Sequence, residues 1–443
     1  MSDLDTRAAP TCAPTLRRAA PALLGYAALR ALGLLTLALW SAARDKSAYT
    51  LLTARWDALW YTRVAELGYG YEVRLPNGDV HSNLAFFPLL PWLERLLHTV
   101  TPLSYADAGF VVSLLASFAA AWGIFAVADH LYGRGAGVCA VLLWAALPVG
   151  IVQSMAYSES LFTALAAWSL YAVLTDRWVT AGALASLAGL TRPVGLAVVA
   201  AVWAAGICSV ARDRNTAGTT EPVRDPSPPG TAPFARPRSA ARVLGARALR
   251  RAPGAVADTP HGRIPAPDGA RGDTRAPSLT TRALGLLLAP LGTAGYVLWV
   301  GHRTGRGPLG YLDVQAGWRN GFDGGYAFAR FVADQFTSPL GALAGLGLVI
   351  GVALLLWLYA VCVRQRQPLP LLVYAGAVTA LALCASSYFG SKPRLLLPAF
   401  PLLLPLARAL ARPRAVRSAL VVGGAALVSA IYGAWWLNGS GPP

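Results

Sequence analysis

Charge is scarce in this chain of 443 residues. Asp, Glu, Lys and Arg together make up 13% of it, about half the usual share for a soluble protein, whereas hydrophobic residues make up 55%. The mean hydropathy is +0.48. A soluble fold cannot cover so much apolar surface with so few charges. The composition therefore excludes a set of soluble domains and predicts an all-α membrane protein, because helices satisfy their own backbone groups in lipid.

Lysine and cysteine are also scarce. Lys46 and Lys392 are the only lysines among 38 basic residues, so arginine carries nearly all of the net charge of +17. In a soluble protein such a balance would indicate nucleic-acid binding. In a membrane protein it indicates arginine-rich cytoplasmic loops, and we expect no nucleic-acid partner. The five cysteines show no paired spacing, which predicts neither disulfides nor a zinc site.

Eleven apolar runs follow one another along the chain and predict about eleven transmembrane helices, since about 20 residues cross the hydrocarbon core. The first run is too long for a signal peptide and predicts an uncleaved helix. The run at 179–190 is short, which is typical of a half-helix that ends within the membrane. The runs are 19–43, 106–128, 135–153, 159–174, 179–190, 194–210, 284–300, 340–363, 369–385, 395–410 and 418–437.

The placement of arginine predicts the orientation of a multi-pass protein of the cell membrane. Residues 211–282 hold thirteen arginines against six acids, and 412–417 is also basic. With these segments in the cytoplasm, the N-terminus lies inside, the C-terminus lies outside, and the large loop at 44–105 lies on the outer face. Four arginines in the outer loop 301–338 oppose this rule and indicate a function there. They are Arg303, Arg306, Arg319 and Arg330.

The basic segment at 211–282 also holds eleven of the 32 prolines and little apolar content. This composition predicts a disordered cytoplasmic linker. The linker separates an N-terminal transmembrane module, 1–210, from a C-terminal one, 283–443. Its arginines either lie in solvent or contact anionic membrane lipids.

The outer loop at 44–105 contains the first candidate site residue. Asp57 lies between Trp56 and Trp60, whose rings suit a membrane interface or stack on sugars. A carboxylate in such a partly dry setting can have a raised proton affinity and act as a general base. The alternative is an interfacial acid that pairs with Arg55 or caps a short helix.

Two more residues of this loop are candidates for substrate binding. Tyr61 shares a helical face with Asp57, whereas Glu66 is turned about 180° away, so the two acids need not form a pair. Glu66 either contacts substrate or forms an ordinary helical pair with Arg63. The segment 86–92 is typical of an interfacial helix, which either steers a lipid tail or anchors the loop.

Ionisable residues also lie at the outer ends of later runs. Glu159 begins a predicted span, where either the helix dipole or a functional role explains an acid at membrane depth. Lys392 and Arg394 place two cations at the outer face, which suits a lipid phosphate; the alternative is snorkelling to headgroups. Arg192 follows the short run and is either a second phosphate ligand or an internal partner of Glu159.

These residues belong to an ordered series of short motifs that resembles the GT-C membrane glycosyltransferases. More closely, it resembles the PIG-V family of mannosyltransferases and its bacterial relatives. The series covers most of the chain except 211–282, a long segment that departs from the compact family pattern but leaves the motifs intact. The motifs are Trp56-Asp57-x-x-x-Tyr61, Ala65-Glu66-x-Gly68-Tyr69, Ala85-Phe86-Phe87-Pro88-Leu89-x-Pro91, Ala156-Tyr157-Ser158-Glu159-Ser160-Leu161-Phe162, Leu190-Thr191-Arg192-Pro193-x-Gly195, Tyr311-x-x-x-Gln315-x-x-Trp318 and Lys392-x-Arg394-x-x-x-Pro398.

The resemblance implies a GT-C-like helical bundle with a large first outer loop. It implies mannosyl transfer on the outer face from a polyprenyl-phosphate-linked donor, with Asp57 as the catalytic base. The hypothesis is a single inverting displacement in which Lys392, Arg394 and Arg192 offset charge on the leaving phosphate. This chemistry needs no metal and no other cofactor.

The resemblance leaves three points open. Gln315 and Trp318 either contact the sugar or close over the site. The acceptor is the hydroxyl of a phospholipid glycan, a cell-wall polymer or a secreted protein. The sugar itself is mannose or another polyprenyl-linked sugar.

Two other functions compete with glycosyl transfer. A transporter or flippase of a lipid-linked intermediate would use the half-helix as a binding site at the midplane. Such a protein should show internal repeats and mid-membrane polar residues, whereas the two halves show no repeat and the polar residues concentrate in outer loops. A non-catalytic subunit that kept the fold would not need Asp57 and both late cations.

Overall fold

The computed structural model describes residues 15–218, 278–386, 388–412 and 415–439. Within these ranges the chain is mainly α-helical, which confirms the predicted fold class. A two-stranded antiparallel hairpin, formed by β1 (Glu72–Arg74) and β2 (Val80–Ser82), accompanies the helices. The predicted linker at 211–282 lies largely outside the described residues.

Eighteen α-helices are found in the described ranges. Those before residue 219 are α1 (Leu16–Ala42), α2 (Ala48–Thr53), α3 (Asp57–Leu67), α4 (Leu89–Val100), α5 (Tyr105–Tyr132), α6 (Arg134–Ala145), α7 (Ser158–Leu174), α8 (Trp178–Gly189) and α9 (Gly195–Gly218). Those after residue 277 are α10 (Leu279–Leu288), α11 (Leu291–Thr304), α12 (Gly310–Gly317), α13 (Tyr326–Gln335), α14 (Pro339–Arg364), α15 (Leu369–Cys384), α16 (Lys392–Leu395), α17 (Leu404–Leu410) and α18 (Ala415–Leu437).

Six helical segments of the described chain are long and apolar enough to cross a membrane. A seventh span results if the bent pair Phe389–Leu395 and Phe400–Leu410 is counted as one. Four shorter apolar helices, α6, α7, α8 and α15, occupy further predicted runs. The chain is therefore a polytopic membrane protein, while the number of eleven spans and the orientation stay predictions.

Prolines and short breaks shape two of the predicted runs. The predicted run at 395–410 belongs to a bent pair of helical pieces, Phe389–Leu395 and Phe400–Leu410, which meet at an angle of 71°. Pro398 and Pro401 lie at this bend, where each removes a backbone donor. The short run at 179–190 forms α8, and the break between α8 and α9 carries Arg192. Both irregular segments hold residues of the candidate site.

The segments on either side of the predicted linker pack together. The described residues up to Ala211 and from Ser278 onwards belong to one compact unit. Within this unit, α8 lies against α10 and α11. Gly182 approaches the carbonyl of Gly285 so closely that a β-carbon would clash with it. Such contacts through small residues are typical of helices that associate in membranes.

The core joins the first helix to the late, bent segment. Trp144 is fully buried and stacks on Tyr26, with ring centroids 5.6 Å apart. Its indole Nε1 donates to the carbonyl of Leu397 at 3.0 Å. These contacts fix α1, α6 and the segment after α16 relative to one another.

Candidate active site

Four charged side chains from distant parts of the sequence meet at one place. They are Asp57, Glu159, Arg192 and Arg394, called here the charge cluster. Arg394 Nη2 lies 2.6 Å from Asp57 Oδ2, and its Nη1 lies 3.7 Å from Glu159 Oε1. Arg192 Nη1 forms an ion pair with the same oxygen of Glu159. Two acids and two arginines leave the cluster formally neutral.

Each member of the cluster lies at a helix end or in a break. α3 begins at Asp57, directly after Trp56, whose φ of 53° is rare for a bulky residue. Glu159 lies in the first turn of α7, so helix dipoles favour both carboxylates. Arg192 lies between α8 and α9, and Arg394 lies on the short α16.

The cluster is mostly withdrawn from water. The side chain of Glu159 is 1% exposed, that of Arg394 is 10% and that of Arg192 is 14%. Asp57 is the most open member at 25%. Buried charges must be paired because water cannot solvate them. The carboxylate of Asp57 is therefore the part of the cluster that a substrate hydroxyl reaches most readily.

Arg394 keeps unused hydrogen-bond donors. Its Nε and Nη1 are buried and have no hydrogen-bond partner among the described residues. Its guanidinium lies 5.0 Å from the ring centre of Tyr157, a distance typical of a cation–π contact. Unsatisfied buried donors are unfavourable, and an incoming anionic oxygen would satisfy them.

Tyr61 connects the cluster to its surroundings. Its hydroxyl lies 2.7 Å from Ser158 Oγ, which Arg192 Nη1 approaches at 3.5 Å. Burial raises the pKa of the Tyr61 phenol, which keeps it a neutral hydroxyl. This role of Ser158 could not be predicted from the sequence, because a serine before an apolar helix is typical of a simple helix start.

Trp318 and Gln315 lie beside the cluster rather than within it. Trp318 Nε1 donates to the carbonyl of Ser82 at 3.0 Å, and its ring meets Trp60 edge-on at 4.9 Å. Gln315 Nε2 donates at 3.3 Å to a backbone carbonyl of the same segment, 82–86. Both side chains thus hold this segment against α3, which carries Asp57.

Lys392 does not join Arg394 in the charge cluster. Its ammonium donates to the carbonyls of Ala382 at 2.8 Å and Ala385 at 2.7 Å, at the end of α15. It also lies 4.9 Å from the ring centre of Phe328. Lys392 therefore ties α15 to the segment that carries Arg394, and the structure does not bring the two cations to a common ligand.

Glu66 is also outside the cluster. It is exposed, and its carboxylate forms no hydrogen bond or ion pair with the rest of the described chain. The predicted helical pair with Arg63 is not formed. Arg63 lies over aromatic rings instead, 4.5 Å from the ring centre of Tyr71 and 6.0 Å from that of Trp60.

The fold and the site together define a polytopic helical membrane protein with a buried, neutral cluster of opposite charges at its helix ends. One carboxylate of this cluster is partly open, and two nitrogen atoms of one guanidinium form no hydrogen bond within the described part of the chain.

No protein-family model and no curated protein matches the chain. Among solved structures, it is similar to two crystal structures of ArnT from Cupriavidus metallidurans, one in the apo state and one bound to undecaprenyl phosphate. The sequence identities are 15% and 12%, and the TM-scores are 0.45 and 0.47. The similarities cover 82% and 95% of this chain, and 56% and 75% of those chains. The chain thus spans little more than half the length of the first, and similarity at this level carries no argument about activity.

Proposed function

We propose that this chain is a GT-C-type membrane glycosyltransferase, which moves a mannosyl residue from a polyprenyl-phosphate-linked donor to an acceptor hydroxyl. The observation that carries the proposal is the pairing of Asp57 with Arg394. It sets a partly exposed carboxylate beside a buried guanidinium whose Nε and Nη1 form no hydrogen bond with the described residues. The series of motifs that resembles the PIG-V family supports mannose as the sugar and the outer face of the membrane as the side of reaction.

The free donors of Arg394 suit the phosphate of the donor. A guanidinium binds phosphate oxygens through two parallel, charge-assisted hydrogen bonds. Each pair of parallel N–H bonds on a guanidinium includes Nη2, the atom of Arg394 that pairs with Asp57. A phosphate bound in this way therefore competes with Asp57 for Nη2 and releases the carboxylate. Donor binding and activation of the base are thereby coupled.

The transfer itself is a single displacement. Asp57 takes the proton of the acceptor hydroxyl, and the hydroxyl oxygen forms a bond to the anomeric carbon of the sugar. The bond from that carbon to the phosphate oxygen breaks, and the polyprenyl phosphate leaves with both electrons. Attack opposite to the leaving group inverts the anomeric centre. The proton on Asp57 then passes to water, because this side chain is partly exposed.

The other members of the cluster support the charge of Arg394. Negative charge grows on the leaving phosphate in the transition state, and a fixed guanidinium in a dry site stabilises it. Arg192 forms an ion pair with Glu159 and offsets its negative charge. The positive charge of Arg394 is therefore not cancelled by Glu159 and can act on the phosphate. Lys392 is a positioning residue, since it anchors the segment before Arg394 to α15.

The aromatic side chains near Asp57 suit the sugar. Trp60 stacks on Phe86 with ring centroids 5.7 Å apart, and Trp318 closes against both rings. Aromatic faces bind the apolar C–H face of a sugar ring. The acceptor in this proposal is a hydroxyl of a membrane lipid or glycan.

The test is mannosyl transfer by the purified full-length protein, with polyprenyl-phosphate-mannose as donor and membrane lipids as acceptor. Asp57→Asn should lower the rate by about 10²–10⁴-fold, because a general base contributes on this scale. Asp334→Asn, at an exposed carboxylate of α13, is the matched control and should retain the wild-type rate. Undiminished transfer by Asp57→Asn would exclude Asp57 as the base. A preference for polyprenyl-phosphate-glucose would contradict mannose.

A further inference from the structure

A cavity of about 600 Å³ lies among the β1–β2 hairpin, the end of α11 and α12. We call it the hairpin cavity. Its size is within the range of small-molecule sites in proteins. None of the charge-cluster residues lines it. Two of its arginines, Arg303 and Arg306, belong to the loop 301–338. The rule that places basic residues in the cytoplasm does not explain the arginines of this predicted outer loop.

The lining of the cavity combines three arginines with three acids. They are Arg74, Arg303, Arg306, Glu72, Asp79 and Asp313. Two of the six are already engaged: Arg303 donates to the carbonyl of Tyr69 at 3.0 Å, and Asp79 pairs with Arg319 at 2.6 Å.

The other four charges of the lining are free to bind. Glu72, Arg74, Arg306 and Asp313 are exposed, and their side chains form no hydrogen bond or ion pair with any residue in the described ranges. The cavity thus offers two donor groups and two acceptor groups with no net charge. Flanking them are smaller polar and apolar groups, including Ser82 and Val314.

This balance indicates the chemistry of the ligand. A phosphate would be bound by arginines but repelled by Glu72 and Asp313. A sugar hydroxyl both donates and accepts, so it can bridge a carboxylate and a guanidinium at once. The neutral lining therefore favours a neutral, hydroxyl-rich molecule over an anion.

One segment of the chain connects the cavity with the surroundings of the charge cluster. The segment 82–86 provides Ser82 and Leu84 to the cavity. From the same segment, the ring of Phe86 lies 5.1 Å from that of Tyr61, edge-on, next to the cluster. A glycan held in the cavity therefore contacts the segment that Gln315 and Trp318 hold in place.

We propose that the hairpin cavity binds a neutral glycan portion of the acceptor. This inference rests on the proposed glycosyltransferase function, and it names the acceptor as a molecule that already carries sugar.

The experiment measures binding of mannotriose, a neutral probe, to the purified full-length protein in detergent by saturation-transfer NMR. Arg306→Gln/Asp313→Asn removes one charge of each sign from the cavity. It should weaken binding about tenfold or more, since hydrogen bonds to charged groups are stronger than those between neutral groups. Arg330→Gln/Asp334→Asn removes the same two charges from the exposed side of α13 and should leave binding unchanged.

Several results would overturn the proposal. They are no saturable binding of mannotriose, equal binding by the cavity variant and the wild type, or tighter binding of inorganic phosphate that the cavity variant loses. Asp57→Asn separates the two proposals, because it should lose transfer and still bind mannotriose. If the cavity variant lost mannotriose binding while the wild type showed no transfer at all, this result would reject the enzyme function and keep the cavity as a glycan site. Transfer with an unchanged acceptor KM in the cavity variant would reject the cavity alone.

Discussion

The charge cluster and the hairpin cavity both bring arginines close to carboxylates, but the charges are buried in the cluster and exposed to water in the cavity. In the cluster, the side chains of Glu159 and Arg394 are at most 10% exposed, and each charge depends on a protein partner. In the cavity, Arg306 and Asp313 are exposed, and water and salt screen them. The same residue types therefore maintain the fold in one region and stay available to a ligand in the other.

Removing one partner from the buried region should have the largest effect on stability. Arg192→Gln leaves Glu159 buried, with Arg394 at 3.7 Å as its remaining ion-pair partner. Breaking a buried pair costs up to about 3–5 kcal/mol. The loss is large here because the remaining partner is distant and is shared with Asp57. The measurement is the fall in the apparent Tm of the purified full-length protein in detergent.

A double variant separates lost pairing from lost packing. Glu159→Gln/Arg192→Gln removes both charges and should recover most of the loss. Arg330→Gln, at an exposed site on α13, should unfold at the wild-type temperature. If Arg192→Gln also unfolded at that temperature, the buried cluster would not have the energetic role assigned to it.

How far the sequence could anticipate this arrangement differs from residue to residue. The helical membrane fold could be predicted because apolar runs have few alternatives in lipid. The approach of Asp57 to Arg394 could be expected only from the resemblance of the motifs, since 337 residues separate them. The partner of Arg192 stayed open between phosphate and Glu159, because it depends on how α7 packs beside the break after α8.

Lys392 and Arg394 are predicted to bind one phosphate together, but the structure places their side chains apart. The two residues are two positions apart in sequence, and both lie on α16. Positions two apart on a helix point about 200° away from each other, so their side chains reach different surroundings. Arg394 enters the charge cluster, whereas Lys392 binds carbonyls at the end of α15. Adjacent cations in a sequence therefore do not by themselves make a shared phosphate site.

Glu94 of α4 is a third kind of charged residue, because its carboxyl is fully buried but neither of its oxygens has a hydrogen-bond partner among the described residues. Gly109 of α5 leaves room for it, since a β-carbon there would lie 2.6 Å from Glu94 Oε1. Burial raises the pKa of this carboxyl well above its ordinary value.

Glu94→Gln should change the pH dependence of stability. The folded protein binds the proton of Glu94 more tightly than the unfolded chain does. The resulting stability is full below the unfolded pKa of about 4.3 and falls as pH rises towards the folded pKa, by at most about 1.4 kcal/mol per pH unit. The variant lacks this loss, so its advantage in apparent Tm over the wild type should grow from about pH 5 to about pH 7. Parallel profiles would contradict the raised pKa. Glu66→Gln, at an exposed carboxylate, should show them.

The smallest effect is expected at the exposed pair of Asp79 and Arg319, beside the hairpin cavity. Arg319 Nε lies 2.6 Å from Asp79 Oδ2, the same distance as between Arg394 Nη2 and Asp57 Oδ2. The side chain of Arg319, however, is 68% exposed. A double-mutant cycle with Asp79→Asn and Arg319→Gln should give a coupling of about 0–1 kcal/mol in thermal unfolding, and added salt should reduce it. Distance alone would predict equal couplings for the two pairs, whereas solvent exposure predicts a large difference. A coupling between Asp79 and Arg319 as strong as that of a buried pair would mean that this wall of the cavity is as dry as the charge cluster. The charges of the cavity would then stabilise the fold and would not be available to a glycan.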